Sequence, residues 1–262
     1  MKPILLTTGL SLGRGGRRLV RDLDLQIRPG ECWMVIGPNG SGKTTLLKAI
    51  AGLMAAEAGD IQLSGTSLRE LDARQRALRL GLVFQHGNAG LHNSTLELVM
   101  SGHHPRRRHW WDTPGEIETA QQALTEVGLG GLARQDSQTL SGGELRRAEI
   151  ARLLVQDPTL ALLDEPFNHL DIGQQVAMIR LLKRHFLRPQ HALLMVVHDL
   201  NMLTQAASHC LLLYGDGRWA AGPVAEIATR ETLSALYHYP VEEYRAPGGP
   251  LWTVAWEPES QG

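Results

Sequence analysis

The sequence predicts an α/β fold, a parallel sheet with helices on both of its faces. Three observations carry that expectation. The apolar runs CWMVI (32–36), LGLVF (80–84), TLALL (159–163) and ALLMVV (192–197) lack polar alternation, as strands buried on both faces do, and segments of helical character separate them. CWMVI stops abruptly at the glycine-rich string GPNGSGKTT (37–45), after which LLKAIAGLM reads as a helix, so a buried strand passes through a loop into a helix. Finally, 262 residues with 43% hydrophobic content suffice for one large α/β domain or two small lobes.

The elements around this core follow in order. The first 30 residues alternate, as in Leu23, Leu25 and Ile27, and end at Arg28, Pro29 and Gly30, which predicts half-buried antiparallel strands and then a turn. DIQLSG (60–65) adds a further strand. Residues 86–158 are mostly helical and long enough to project from the core as a subdomain. CLLLYGDGRWAAG (210–222) predicts a hairpin turning at Gly215, Asp216 and Gly217, and VEEYRAPGGPLWTVAW (241–256) predicts another. The whole chain, 1–262, is expected to be a single domain, with its helical subdomain at about 86–158 and a C-terminal extension at about 223–262.

Composition excludes several classes of function. With Lys+Arg 26 against Asp+Glu 27 the net charge is -1, so no global field draws the chain to nucleic acid, and no nucleic-acid partner is expected. ALLMVV is far shorter than the roughly 20 apolar residues that span a bilayer, so the chain is not expected to cross a membrane by itself. The start MKPILLTTGLSLG is interrupted by threonines and followed by Arg14, Arg17 and Arg18 without a small-residue cleavage site, and no signal peptide is expected. Cys32 and Cys210 sit inside apolar strand-like runs, as buried, reduced thiols do in a cytoplasmic protein.

The loop carries the first specific chemistry. Gly37, Gly42, Lys43 and Thr44 meet the spacing GxxxxGK(S/T), in which glycines let successive backbone N–H groups curl around phosphate oxygens where a side chain would collide. The helix beginning near Lys43 adds unsatisfied N–H groups and a positive dipole end, Lys43 brings a charge for the outer phosphates, and Thr44 offers a hydroxyl to Mg²⁺. Pro38, Asn39, Gly40, Ser41 and Thr45 complete this stretch, and a nucleoside triphosphate fits it. TLALLDEP places Asp164 and Glu165 at the carboxyl end of a buried strand, where Asp164 can hold Mg²⁺ through water and Glu165 can polarise the water that attacks a γ-phosphate.

LSGGE (140–144) marks a second anion site. Ser141 and Glu144 have capping-box spacing, so Ser141 starts the helix ELRRAEIARLLV while Gly142 and Gly143 leave N–H groups bare. Leu145, Ala148, Ala151 or Arg152, and Val155 give that helix an amphipathic face. One phosphate loop and one remote anion site make sense together if two copies sandwich two nucleotides, each completed by the other's LSGGE.

With these motifs in place the sequence resembles an ATP-binding cassette (ABC) ATPase subunit over nearly all of its length. GPNGSGKT resembles the Walker A loop of P-loop NTPases, LALLDEP the Walker B strand, LSGGE the signature motif, Gln85 in VFQ the Q-loop glutamine, NHLD ending in Asp171 the D-loop, and His198 in VVHDL the switch histidine. The resemblance implies a RecA-like parallel-sheet core with an N-terminal antiparallel β subdomain and a helical subdomain. It implies ATP and Mg²⁺ as ligands, Gln85 sensing Mg²⁺ and the attacking water, and His198 contacting the γ-phosphate. It further implies a homodimer at the cytoplasmic face of the membrane, serving integral permease subunits. EPFNHLDIGQQ, VVHDLN and VMSGHHP are similar to the branch that takes up iron–siderophore, haem and cobalamin, which implies an importer working with an extracytoplasmic substrate-binding protein. An exporter ATPase subunit, and a soluble ABC ATPase acting on ribosomes or DNA, are the competing readings.

Two residues depart from the family pattern. The signature usually ends in glutamine, whereas this chain has Glu144; the capping box turns that carboxylate toward the Ser141 N–H, and activity is expected to survive. Where an aromatic residue usually precedes the pair Gly15 and Gly16, Arg14 stands, either stacking its guanidinium on the base with weak base discrimination or remaining solvated. HHPRRRHWW (103–111) is open to three readings: a metal site, a nucleic-acid patch or a solvated, partner-facing surface. Residues 86–98 are the expected seat of the permease's cytoplasmic helix.

Overall fold

The computed structural model describes residues 2–84, 94–107, 111–247 and 249–254. Along the chain, β1 (Leu5–Arg14), β2 (Arg17–Leu23) and β3 (Gln26–Ile27) precede β4 (Cys32–Ile36), which runs through the glycine loop into α1 (Lys43–Ile50). Next come β5 (Ala58–Leu63), β6 (Thr66–Ser67), α2 (Ala73–Arg79) and β7 (Leu80–Val83). The helical stretch holds α3 (Thr95–Met100), α4 (Pro114–Glu126) and α5 (Gly142–Gln156). It leads to β8 (Leu160–Asp164), α6 (Ile172–Phe186), β9 (Ala192–Val196), α7 (Asn201–Ala206), β10 (His209–Leu213) and β11 (Trp219–Pro223). The chain closes with α8 (Val224–Ile227), α9 (Arg230–Tyr237) and the hairpin β12 (Val241–Ala246) and β13 (Gly249–Val254).

Two sheets organise these elements. The core sheet has the order β11-β10-β4-β9-β8-β7, parallel except for β11, and the N-terminal sheet is antiparallel in the order β2-β1-β5-β6 with β3 on β1. This is the α/β architecture read from the sequence. Alternate residues of each core strand face opposite layers. Cys32, Met34 and Ile36 pack with α5 and α6 residues such as Leu154 and Leu182, while Trp33 and Val35 pack with Leu46, Leu47 and the antiparallel sheet. Burial on both sides explains the unbroken apolar runs. The helix after the glycine loop is shorter than LLKAIAGLM suggests: it ends at Ile50, and Gly52 continues in the left-handed region at φ 70.

Helix starts are set locally by capping boxes. Asp72, Ser94, Thr113, Ser141 and Thr229 each accept from the N–H three residues on, whose own side chain bonds back. The topology positions the site. β9 lies between β4 and β8, so the carboxyl ends of these strands open side by side, and Glu165 N donates to Val196 O at 3.1 Å across that edge. Among the described residues, no helix is long and apolar enough to cross a membrane.

Candidate nucleotide site at the sheet edge

A cleft of ≈ 530 Å³ opens at this edge, lined by Arg14, Arg17, Leu19, Asn39, Gly40, Gly42, Lys43, Thr44, Thr45 and Glu165. Gly42 caps α1 at φ 104, a backbone that side chains rarely adopt, and a Cβ there would stand 2.9 Å from Leu19 Cβ. Among the described residues no side chain caps α1, and its first turn, Lys43 to Thr45, lines the cleft with the helix's positive end. Lys43, 6% exposed, donates through Nζ to Gly37 O at 2.8 Å and Pro38 O at 3.1 Å. Burial pulls its pKa down, and the charges of Glu165 and Asp164 oppose that pull.

Asp164 is fully buried. Its Oδ2 accepts from Thr44 Oγ1 at 2.7 Å, whereas its Oδ1 has no partner among the described residues. Desolvation raises its pKa, the Thr44 hydroxyl counteracts this, and the neighbouring Glu165 charge adds to it. Ser41 Oγ is likewise buried and unpartnered. A buried carboxylate oxygen and a hydroxyl with unused capacity, beside uncapped N–H groups and an ammonium, fit a divalent cation with phosphate. Thr44 and Asp164 are the side chains that would hold Mg²⁺, and the ion would supply charge neutralisation to a transferring phosphoryl group.

Glu165 has φ 50, uncommon for a residue with a side chain, and both carboxylate oxygens are engaged. Oε1 lies 2.5 Å from His198 Nε2, and Oε2 accepts from Asn168 Nδ2 at 2.6 Å. An ionised carboxylate only accepts, so with Glu165 in that form the contact needs a proton on His198 Nε2. Asn168 escaped the sequence reading, although NHLD contained it and a spacing of three from Glu165 was the available signal. Arg17, also not anticipated, lines the cleft and donates to Gly215 O at 2.8 Å, tying the β1–β2 turn to the loop after β10.

The signature residues sit elsewhere. Ser141 caps α5, its N–H and hydroxyl donating to Glu144 Oε2 at 2.9 and 2.7 Å, and those two bonds hold the Glu144 carboxyl below its usual range. A Cβ on Gly143 would lie 2.9 Å from His169 O, so only glycine lets this turn pack on the chain before α6. Asp171 caps α6 by accepting from Gln174 N at 2.8 Å. Ser141, Gly142 and Asp171 are exposed, and neither they nor Gly143 and Glu144 belong to the cleft lining. The structure thus brings Lys43, Thr44, Asp164, Glu165 and His198 together and leaves the turn expected to be a second anion site outside the cleft lining. Gln85 lies outside the described residues, as do residues 86–93 of the expected permease seat and 108–110 of the His/Arg/Trp stretch.

Comparison with known proteins agrees with this geometry. The sequence profile of the ABC transporter family matches residues 20–168. Over 251 residues the chain is 33% identical to the hemin import ATP-binding protein of Methylobacillus flagellatus, covering 94% of this chain and 92% of that one. It is 34% identical over 230 residues to the ferric enterobactin transport ATP-binding protein of Escherichia coli, covering 87% and 84% respectively. Among solved structures, a metal-chelate type ABC transporter in an inward-facing conformation shares the fold with a TM-score of 0.81 at 24% identity, over 98% of this chain and 99% of that one. A profile match across more than half the sequence, with relatives aligned over most of their length, shows that the chain belongs to the ABC transporter family.

Proposed function

We propose that this chain is the ATP-binding and hydrolysing subunit that powers an importer of metal chelates, of the hemin and ferric-siderophore class, with cobalamin as the neighbouring cargo class. The observation that carries the hydrolytic reading is Glu165, held at the cleft by His198 and Asn168 beside the Thr44–Asp164 pair. Lys43 and the loop N–H groups would bind the β- and γ-phosphates, Glu165 would take the proton of the attacking water, and His198 would orient it. Gln85 takes its place in this scheme from its motif alone. The relatives named for hemin import and ferric enterobactin transport support the direction and cargo.

The signature turn and Asp171, largely exposed and outside the cleft lining of their own chain, support a homodimer in which each copy closes the other's nucleotide site. In this reading the chain is one ATPase domain, with the helical part at about 86–158, which holds α3, α4 and α5, and the segment from about 223 onward as an extension. It would be peripheral to the cytoplasmic face of the membrane, seated on permease subunits that receive cargo from an extracytoplasmic binding protein. The test uses the tagged Glu165→Gln variant, extracted with ATP from native membranes, together with uptake of hemin and of ferric siderophores in cells lacking the chain. Co-purification of a polytopic permease and loss of uptake of one chelate class are expected. Ribosomes, DNA or no membrane protein on the bait would overturn the transport reading and leave the ATPase.

A further inference from the structure

Among the described residues β7 ends the core sheet, so the carbonyls on its outer side have no strand there to bond. In a strand these are every second residue, and α5 reaches all three in turn. Gln156 Nε2 donates to Leu80 O at 3.0 Å, Arg152 Nη2 to Leu82 O at 3.1 Å, and Arg146 Nη1 to Phe84 O. Two residues of strand advance about 6.6 Å, and four residues of helix about 6 Å, so Arg152 and Gln156 match consecutive outward carbonyls. Arg146, a turn and a half further back, covers the remaining distance with its long side chain. Gly81 permits this close approach, since a Cβ there would meet Leu153 Cδ1 at 2.3 Å.

The grip at Phe84 is unlike the other two. The Arg146 side chain is 3% exposed, and its Nη1 also lies 3.2 Å from Oε2 of Glu149, whose side chain is 9% exposed. It projects from the second turn of the helix that Ser141 caps, holds the residue before Gln85, and lies near enough to Asp164 and Glu165 for their charges to favour its cationic form. Neither Arg146 nor Glu149 belongs to the motifs recognised in the sequence.

We propose that Arg146, seated by Glu149, is a positioning residue for hydrolysis: it locks the start of the signature helix to the carboxyl end of β7, next to the strand that carries Asp164. A guanidinium suits this task because the two N–H groups of Nη1 lie in fixed in-plane directions, serving the carbonyl and the carboxylate together, whereas the donors of an ammonium rotate. The inference rests on the hydrolytic reading of the cleft. Breaking a buried ion pair strands a charge, so Arg146→Gln alone destabilises the chain and confounds any loss of activity. Arg146→Gln with Glu149→Gln removes both charges together.

The test measures thermal midpoint, KM for ATP and kcat for the wild type, both single amide variants, the double variant and Arg146→Lys. Stability is expected to recover in the double variant while kcat stays down by about tenfold to a hundredfold, with KM within about twofold of wild type, as a misplaced catalytic constellation behaves. Arg146→Lys is expected to recover part of kcat. A double variant whose kcat returns with its stability, or whose loss lies in KM, overturns the positioning role. A wild-type chain that releases no phosphate overturns the hydrolytic reading itself, whereas wild-type turnover in the double variant overturns this inference alone.

Discussion

Replacing Glu165 by Gln separates binding from chemistry. Glu165 is buried, and its two oxygens take one bond from His198 and one from Asn168. A glutamine has the same shape and can keep both contacts if His198 changes tautomer or the Asn168 amide turns over. Either contact, if not remade, costs about 1.5 to 3 kcal/mol, the worth of a hydrogen bond to a charged group. Against that, the substitution removes a negative charge that repels Asp164 next to it. Thermal stability and ATP affinity are therefore expected to stay close to wild type. Turnover is not, because an amide cannot accept the proton of the attacking water. General-base catalysis is worth about 10²- to 10⁴-fold, or about 3 to 5 kcal/mol of barrier. Phosphate release at saturating ATP and Mg²⁺, measured beside fluorescent-nucleotide binding, reads both quantities. A variant that keeps more than about a tenth of wild-type kcat would show that the proton goes elsewhere, and the assignment of Glu165 would fail.

Asn168→Ala removes the Asn168 bond to Glu165 Oε2 and is expected to lower kcat about tenfold at unchanged KM; Asn168→Asp, which sets a like charge against Glu165, should be worse in the same assay, and equal activity of all three chains would remove Asn168 from the mechanism. Burial pushes the Cys32 and Cys210 thiols from 9.0 up to about 12. Their folded pKa is raised, so the stabilisation is fully present below pH 9 and is lost as pH rises toward 12. Native protein at pH 8 should resist a thiol reagent, while the unfolded chain gives two equivalents; rapid native labelling would contradict the burial. Arg14 lines the cleft where an aromatic residue is usual, so ATP and GTP should turn over with kcat/KM within about tenfold of each other. A strong preference for ATP would mean the base is read by another group.

What could be read from the sequence was local. The glycine loop, the capping box at Ser141 and the two-sided apolar strands depend on neighbours a few residues away, and they determined the α/β class, the phosphate site and the candidate acids. Even the turn of Glu144 toward Ser141 followed from a spacing of three. What lay beyond the sequence depends on strand order. The Thr44–Asp164 bond joins residues 120 apart, and the His198–Glu165 contact joins residues 33 apart, because β9 inserts between β4 and β8 and brings their ends to one edge. The clamp on both Glu165 oxygens, the unpartnered Asp164 oxygen and the grip of Arg146 on Phe84 are products of packing, since no periodicity or motif spacing encodes which side chains meet when a helix is laid along the edge of a sheet.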